Sequence, residues 1–387
     1  MFHRAAKQVA TLSCQCAYSL SLARKQALPL ALQTLLVQNL RIIEQLDISL
    51  AADANLFIGE NGAGKTSILE AIDVLSRGRS FRERRTSPLV RKQATDLIVS
   101  GKVDAVDGFA RLGIQKSSKQ TVLHCNQEKV ASISSHASYL PVLCMHPDSH
   151  QLIQGSGKHR RNYMDWSAFH VKHQFLQNWR DYNKCLRQRN TALRNRCDTE
   201  ELSVWTNRLS VLGEEIGIAR SEIFQEISPY FDNYSNSLLP ECEVSMSYHR
   251  GWSEEAGLET ALCSLREQEL VSKTTGCGPH RANIKLFLNQ QDAAAVASRG
   301  QQKLIAACLL LAQINHIQHF NKKKCVVLLD DIRAELDQQH AHALITALQT
   351  LGCQVFITAI EEGQIELLGW DDTKVFHVKQ GVCKPMK

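Results

Sequence analysis

Residues 59 to 66, GENGAGKT, match the pattern G-x-x-x-x-G-K-[ST] of a phosphate-binding loop. Before them NLFIG (55–59) predicts a short strand, and after them TSILEAIDVLS (66–76) has the spacing of a helix with one apolar face. The motif needs this order, because the N–H groups of the turn and the amino end of the helix then surround a phosphate. The stretch therefore predicts an α/β nucleotide-binding domain.

Residue types within this loop assign the roles. Lys65 is expected to hold the β- and γ-phosphates and to act in catalysis, and the Thr66 hydroxyl is expected to bind Mg²⁺. The implied cofactors are ATP and Mg²⁺. The rest of the predicted nucleotide cradle consists of Gly59, Glu60, Asn61, Gly62, Ala63, Gly64 and Ser67.

A second apolar stretch ends in two acids. CVVLLDD (325–331) predicts a central parallel strand whose carboxyl end meets a ligand, and QVFITA (354–359) predicts its neighbour. We expect Asp330 to bind Mg²⁺ and Asp331 to orient or deprotonate the attacking water. A helix cap would explain one acid here, but two adjacent acids repel unless a cation or a proton separates them.

The stretch VASRGQQKLIAACLLLAQI (296–314) predicts a buried helix that begins with Ser298, Gly300 and Gln301. Free N–H groups at a helix start attract an anion, yet the loop at 59–66 already encloses the chain's own phosphates. The anion is therefore predicted to belong to a second molecule, as in ATP-binding-cassette ATPases, where one subunit's signature closes over the other's γ-phosphate. The alternative is that Ser298 is an ordinary helix cap.

The middle of the chain, from about 161 to 231, has no strand signal and predicts two helices joined near residues 194–201. Steps of three and four residues form a seam in the second helix, and a matching stripe lies in the first, so the pair should form a short antiparallel hairpin. The seam is Leu202, Trp205, Leu209, Leu212, Ile216, Ala219 and Ile223, and the stripe is Phe175, Trp179, Tyr182 and Leu186.

The length and composition of the chain exclude some classes of protein. At 387 residues the chain can hold two lobes, and no apolar run approaches the roughly 18 residues that span a bilayer, so we expect no membrane role and a cytoplasmic, nucleoid-associated protein. Thirteen cysteines without a CxxC pair fit reduced thiols. Residues 1–31 are basic and acid-free, which predicts a disordered extension or a start codon placed too far upstream, with a transit peptide as the alternative.

Five motifs taken together resemble the RecF family, bacterial recombination-mediator ATPases of the SMC-like branch of the ABC superfamily. They are NLR (39–41), GENGAGKT (59–66), SRGQQK (298–303), LLDDIRAELD (328–337) and FITA (356–359). The resemblance implies an α/β fold: an ABC/SMC-type P-loop ATPase head with mixed sheets, formed by 32–145 and 276–387. An inserted, mainly helical arm (146–275) would carry the antiparallel hairpin.

The resemblance also implies a function. Such a protein forms an ATP-dependent homodimer on double-stranded DNA near gaps or single-strand/double-strand junctions, acts in recombinational repair and replication restart, and helps to load the recombinase. Its hydrolysis is slow and DNA-stimulated, as suits a timer. RecR and RecO are the implied protein partners.

Some residue roles come from the resemblance alone. It implies that Arg41 contacts the nucleotide, that Ser298, Gly300 and Gln301 act across the interface, and that Asp337 lies in a coupling loop. Thr358 stands where transporters carry a switch histidine, which agrees with slow hydrolysis. MHPDS (145–149) takes the place of the loop that senses Mg²⁺ and γ-phosphate. Leu40, Gly157 and Ala334 depart from the family pattern and leave interface details open.

Clusters of basic residues are the candidates for DNA contact. Residues 77–92 hold seven basic residues and one acid, residues 187–196 add four basic residues, and Lys158, Arg160 and Arg161 form a third cluster. No base-reading motif is visible, so we expect salt-dependent binding to the DNA backbone. The predicted contacts are Arg77, Arg79, Arg82, Arg84, Arg85, Arg187 and Arg189.

Three alternatives remain open at this point. The nucleotide-binding domain of an ABC transporter is disfavoured because Lys65 and Ser298 are 298 − 65 = 233 residues apart. A structural SMC-type tether is disfavoured because the heptads run for only about three repeats. A nucleotide-binding scaffold without catalysis stays possible, since only Asp331 speaks for hydrolysis.

Overall fold

The computed structural model describes residues 31–386 except residues 84, 106–107, 196–197, 362, 364, 366 and 368. The predictions for Arg84 and, apart from Ala31, for the extension 1–31 lie outside the described residues. The strands are β1 (Leu32–Leu40), β2 (Ile43–Ser49), β3 (Ala54–Ile58), β4 (Asp96–Ala105), β5 (Gly108–Ser117), β6 (Thr121–Cys125), β7 (Glu128–Val130), β8 (Val142–Met145), β9 (Val244–His249), β10 (Asn283–Leu288), β11 (Gln291–Asp292), β12 (Val326–Leu329), β13 (Gln354–Ala359), β14 (Thr373–Lys379) and β15 (Val382–Pro385).

Helices alternate with these strands and dominate the middle of the chain. They are α1 (Lys65–Arg77), α2 (Ser134–Tyr139), α3 (Gln151–Gln154), α4 (Gly157–Val171), α5 (Phe175–Asn195), α6 (Thr199–Leu238), α7 (Gly257–Ser264), α8 (Arg266–Ser272), α9 (Ala293–Val296), α10 (Arg299–Asn321), α11 (Ile332–Glu335) and α12 (Gln338–Thr350). Within the described ranges, no helix is both long and apolar enough to cross a membrane.

The central sheet has the strand order β15-β14-β3-β13-β12-β8. From β14 to β8 neighbouring strands are parallel, and β15 returns antiparallel to β14. Every residue of β3, β12 and β13 is buried, as continuous apolar runs predict for a sheet covered on both faces. The predicted strands at 55–59, 325–331 and 354–359 are confirmed. Their carboxyl ends meet at one edge.

An antiparallel sheet, β2-β1-β4-β5-β6-β7, packs over α1. Alternating apolar positions such as Leu46 and Ile48 predict a sheet edge after Leu35, and this edge is the β1–β2 hairpin, with β2 outermost. Short alternating runs separated by glycines predict antiparallel strands between 97 and 135, and these strands are β4 to β7. The sequence KVFHVKQGVCK (374–384) predicts a closing hairpin, which is β14–β15 and turns at Gly381 with φ 80°.

The arm contains the predicted helical hairpin of α5 and α6, whose apolar faces pack together in one core, except that Leu202 packs with Ala192 and Leu193 in a small separate cluster. Trp179 is 39% exposed and does not join its stripe. The helix α6 is 40 residues long and continues through Pro229, well beyond the predicted seam. A three-stranded sheet, β11-β10-β9, pairs strands from both sides of the boundary predicted at 275/276. That division of the chain stays a prediction.

Arg189 corrects one sequence-based prediction. It is 1% exposed, and its guanidinium donates to Glu269 at 2.7 Å, to Thr206 at 3.0 Å and to Thr275 at 2.9 Å. With its donors used inside the arm, Arg189 does not face solvent and is not a DNA contact. Arg189 instead connects α5 to α8 through Glu269 and to the loop that precedes β10 through Thr275.

We predict that Arg189→Ala lowers the free energy of unfolding by about 3 to 5 kcal/mol, because it leaves the buried carboxylate of Glu269 without its cation. Urea denaturation followed by circular dichroism measures this. Arg187→Ala is the matched control, since Arg187 lies two residues away on the same helix but is exposed, and its cost should stay within about 0.5 kcal/mol. Equal costs for the two variants would contradict the buried ion pair.

Candidate nucleotide-binding site

The phosphate-binding loop connects β3 to α1 and lines a pocket of about 440 Å³. Gly64 has φ 112°, a conformation that favours glycine, and ends the loop as the cap of α1. Gly59 lies against β14, where a Cβ atom would come 2.2 Å from the carbonyl oxygen of Val378. These two positions accept only glycine, so the loop has little freedom to take another shape.

Lys65 lies at the floor of the loop. Its ammonium donates to the carbonyl oxygens of Gly59 at 2.6 Å and Glu60 at 3.0 Å. Burial lowers the pKa of Lys65, while the charges of Asp331 and Asp330 oppose that shift. The ammonium group is thus held against the backbone of the loop, so that a positive charge is already in position for phosphate oxygens.

The two predicted magnesium ligands lie together. The Thr66 hydroxyl donates to Asp330 at 2.9 Å to Oδ1 and 3.1 Å to Oδ2. Adjacent oxygen ligands of an octahedral Mg²⁺ are about 3 Å apart, so this spacing fits that ion. Burial raises the pKa of Asp330, and hydrogen bonds from Thr66 and Thr358 oppose the rise. A divalent cation here would stabilise the charged carboxylate.

A cluster of three or more His, Cys, Asp or Glu residues suited to a metal ion is absent from the described part of the chain. Mg²⁺ does not need such a cluster, because it is bound in nucleotide sites by one or two side chains, substrate phosphates and water.

Asp331 takes a left-handed backbone conformation, with φ 54° and ψ 44°. It precedes α11, but its carboxylate makes no capping hydrogen bond, so the interpretation as a helix cap is not supported. Its backbone N–H donates to the Thr358 hydroxyl at 2.7 Å. A non-glycine residue in this conformation costs of order 1–3 kcal/mol and persists where its surroundings fix it. Here the conformation turns the carboxylate away from a capping role.

Thr358 stands where transporters carry a switch histidine, and its hydroxyl contacts both acids of the site. Its hydroxyl accepts from Asp331 N and donates to Asp330 Oδ1 at 3.1 Å, so one side chain positions both acids. This positioning role of Thr358 was not predicted from the sequence. The available signal was the position of Thr358 at the carboxyl end of the strand next to CVVLL.

Arg41 and Ile42 form another wall of the same pocket. Arg41 donates two hydrogen bonds to Glu70, which raises the pKa of Arg41. The structure thus places the predicted Arg41 beside the nucleotide pocket. Glu70 was not among the predicted residues, since a single acid within an amphipathic helix carries no sequence signal.

The predicted signature residues lie elsewhere. Ser298 caps α10, where its hydroxyl accepts from Gln301 N at 3.3 Å and the Gln301 side chain accepts from Ser298 N at 2.9 Å. Ser298 and Gly300 are exposed, and none of the three predicted signature residues lines the pocket of its own chain. The cap interpretation is therefore confirmed locally, while the role across an interface stays a prediction.

The basic clusters differ in how far their side chains are exposed. Arg77 pairs with Asp73 and lies over Trp166, and Arg160 donates to three carbonyl oxygens and to Asn283, so both have structural partners. Arg79, Arg85 and Arg187 are exposed. Arg82 is also exposed and lines the nucleotide pocket as well as a neighbouring cavity of about 370 Å³. These residues remain candidates for contacting DNA.

The MHPDS segment leaves the central sheet at β8, beside Asp330, whose N–H donates to the Met145 carbonyl at 2.9 Å. A 3₁₀ turn follows at Pro147–His150, and the ring of His146 accepts from Asp148 N. Burial lowers the pKa of His146 to about 4. The segment therefore adjoins the metal side of the site, and its role as a sensor stays a prediction.

Fold and site together define a P-loop nucleotide-binding protein of the SMC-like type, and comparison with known proteins agrees. The model of the RecF/RecN/SMC N terminal domain matches residues 31–384. The DNA replication and repair protein RecF of Thioalkalivibrio sulfidiphilus is 38% identical over 355 residues, covering 91% of this chain and 99% of that protein. That of Cellvibrio japonicus is 39% identical over 360 residues, covering 91% and 98%. The chain belongs to the RecF family.

Solved structures support the fold. One of the recombination mediator protein RecF with ATP, from the RecFOR pathway, superposes with a TM-score of 0.84 at 24% identity, covering 94% of this chain and 99% of that one. An Smc head domain from Pyrococcus furiosus gives a TM-score of 0.57 at 15% identity, covering 92% and 96%. Membership in the RecF family leaves the transporter alternative without support.

We predict that Thr358→Val slows ATP hydrolysis about 30- to 150-fold, because it removes the two hydrogen bonds that position Asp330 and Asp331, each worth about 1 to 1.5 kcal/mol. The dissociation constant for ATP should change less than about threefold, because Lys65 and the loop remain. Steady-state hydrolysis and equilibrium nucleotide binding measure the two quantities.

Thr358→Ser keeps the hydroxyl and is the matched control, so it should retain most of the activity. If Thr358→Val hydrolyses ATP at the wild-type rate, the hydroxyl does not position the acids.

Proposed function

We propose that this chain is a DNA-binding ATPase of recombinational repair and replication restart, which dimerises on double-stranded DNA when it binds ATP and hydrolyses that ATP slowly. One observation carries the proposal. The phosphate and metal side of the site is complete on one chain, whereas the signature at Ser298 is exposed and does not line that chain's own pocket. A second copy could supply the missing half.

The chemistry follows from the described side chains. Lys65 binds the β- and γ-phosphates, and Thr66 and Asp330 hold Mg²⁺, which neutralises phosphate charge. Asp331, held by Thr358, orients or deprotonates the attacking water. The Thr358 hydroxyl is uncharged and is already bonded to Asp330 and to Asp331 N. It therefore supplies no positive charge to the γ-phosphate. This supports slow hydrolysis that sets the lifetime of a DNA-bound dimer.

Partners are inferred from the relatives. Curated relatives carry the name DNA replication and repair protein, and the similar ATP-bound structure is described as part of the RecFOR pathway. We therefore expect RecR and RecO as protein partners and gaps or single-strand/double-strand junctions as preferred DNA. The cytoplasm, on the nucleoid, is the expected location.

We predict that ATP with Mg²⁺ and a short duplex converts the wild type to a dimer, that ADP does not, and that Ser298→Ala stays monomeric. Losing the Ser298 hydroxyl removes a donor to the second copy's γ-phosphate. Asp331→Asn should accumulate the dimer, because it binds ATP without activating water. Light scattering coupled to size exclusion gives the masses.

Ser298→Ala also removes a helix cap, worth about 1 kcal/mol. Asp198→Ala is the matched control, since Asp198 caps α6 by accepting from Glu201 N at 2.7 Å, and it should dimerise normally. A wild type that stays monomeric with ATP and DNA contradicts the proposal. Unaltered turnover in Asp331→Asn would favour the scaffold without catalysis.

We predict that Arg84→Glu with Arg85→Glu weakens duplex binding at least tenfold and leaves the dissociation constant for ATP within about twofold. Arg85 is exposed beyond its pair with Glu83, so its loss removes positive charge available to phosphates. Fluorescence anisotropy at fixed salt measures binding. Lys119→Glu, an exposed change outside the basic clusters, is the control. Unchanged duplex affinity would remove these arginines from the DNA contact.

A further inference from the structure

Glu70 lies on α1, four residues after Thr66, and is 1% exposed. Two other segments donate to its carboxylate. Arg41 donates to Oε2 at 3.1 Å and to Oε1 at 2.9 Å, and the Ser80 hydroxyl donates to Oε1 at 2.6 Å. A buried carboxylate is stable only when it is paired and hydrogen-bonded. Glu70 therefore holds Arg41 and Ser80 in a fixed relation to α1.

Ser80 begins the basic segment (residues 80–91), which follows α1. It is 2% exposed, and its hydroxyl oxygen accepts from Arg82 N at 3.0 Å and Glu83 N at 3.3 Å. The backbone that presents Arg82 and Glu83 is thus attached to Glu70 through one hydroxyl.

Arg41 secures the far end of the same segment. Its Nη1 donates to the Pro88 carbonyl at 2.9 Å, and its backbone N–H donates to the Leu89 carbonyl at 2.8 Å. Arg91 N returns a bond to the Asn39 carbonyl at 2.9 Å. Arg41 adopts a left-handed conformation with φ 54°, which marks this turn as one fixed by its surroundings. Each end of this segment thus bonds one partner of the pair: Ser80 bonds Glu70, and Pro88 and Leu89 bond Arg41.

The pair also faces the nucleotide. Arg41, Glu70, Arg82 and Glu83 all line the pocket that contains Lys65 and Thr66. Phosphate charge in this pocket competes with Glu70 for Arg41, and a change in the pair reaches residues 82 and 83 through Ser80. One buried carboxylate thus contacts the wall of the nucleotide site and both anchors of the basic segment.

We infer that Glu70 is a positioning residue that couples nucleotide binding to DNA binding by setting the conformation of residues 80–83 and 88–91. The inference rests on the proposed function, because it takes this segment as part of the DNA contact. Coupling of two binding equilibria is reciprocal, so ATP changes DNA affinity and DNA changes ATP affinity by the same factor.

Ser80→Ala tests the link with the least disturbance. It removes the hydroxyl that joins Glu70 to the backbone of 82 and 83, and it leaves the Arg41–Glu70 pair and every charge in place. Ser76→Ala, in the last turn of α1, is the matched control. Ser76 is 0% exposed and donates to the Leu140 carbonyl at 2.6 Å, which is outside the basic segment. Both variants lose the hydrogen bond that a buried serine hydroxyl donates, and Ser80→Ala also loses the two that its hydroxyl accepts from Arg82 N and Glu83 N.

The measured quantity is the ratio of duplex dissociation constants without and with a nonhydrolysable ATP analogue, at fixed salt and duplex length. We expect a ratio of about fivefold or more for the wild type and Ser76→Ala. For Ser80→Ala it should fall below about twofold, while the constant without nucleotide stays within about threefold of wild type. Glu70→Gln, which weakens the hold on Arg41, should lower the ratio as well.

A merely structural role for Glu70 would lower stability without changing this ratio. A Ser80→Ala ratio within twofold of the wild-type value overturns the inference, as does a wild-type ratio of one.

Hydrogen exchange of residues 80–91 separates this result from failure of the proposed function. If the wild type binds no duplex, the proposed DNA contact is wrong, and exchange alone decides the role of Glu70. The ATP analogue should then change exchange at residues 82 and 83 in the wild type and in Ser76→Ala but not in Ser80→Ala. An equal change in all three proteins overturns the coupling.

Discussion

The Thr66 hydroxyl and the Asp330 carboxylate lie 2.9 Å apart although 264 positions separate them in the chain. Thr66 is fixed by the loop after β3 and Asp330 by the end of β12, and Thr358 near the end of β13 donates to Asp330. Three buried parallel strands must therefore align for a pair of magnesium ligands to form. A displacement of about 1 Å in any strand would separate them, since sites of this kind tolerate about 0.5 Å.

Alternate residues of the central sheet belong to two different cores. Phe57, Leu328 and Phe356 face the core that holds α1 and the antiparallel sheet. Leu56, Leu329 and Ile357 face the core that holds the arm helices. Because side chains alternate across a strand, the same three strands that align the magnesium ligands also join the nucleotide lobe to the arm. The magnesium ligands and the arm are therefore positioned by the same three strands, β3, β12 and β13.

Most of the fold that could be predicted from the sequence came from local sequence patterns. GENGAGKT, the apolar strand runs and the helical seam are short-range signals with fixed spacing, so the strands, the loop and the hairpin followed from them. Arg189, Thr358 and Glu70 show the limit. A basic run looks the same whether a member is exposed or, like Arg189, paired with an acid 80 positions away. Thr358 and Glu70 acquire their roles through partners brought close only by the folded sheet.

The helix α10 begins at the exposed Ser298 and is bonded sideways to the arm. Gln313 donates to the Tyr163 carbonyl and to Ser167, Asn315 donates to Tyr234, and His316 pairs with Glu226. Polar bonds inside an apolar interface resist sliding, because a shift would leave buried groups unpaired. These bonds therefore join the helix and the arm into one rigid unit. With α6 about 60 Å long, a rotation of about 5° at its base moves the hairpin tip by about 5 Å. In the proposed dimer, a small change in the spacing of the two copies would thus be enlarged at the far end of the arm.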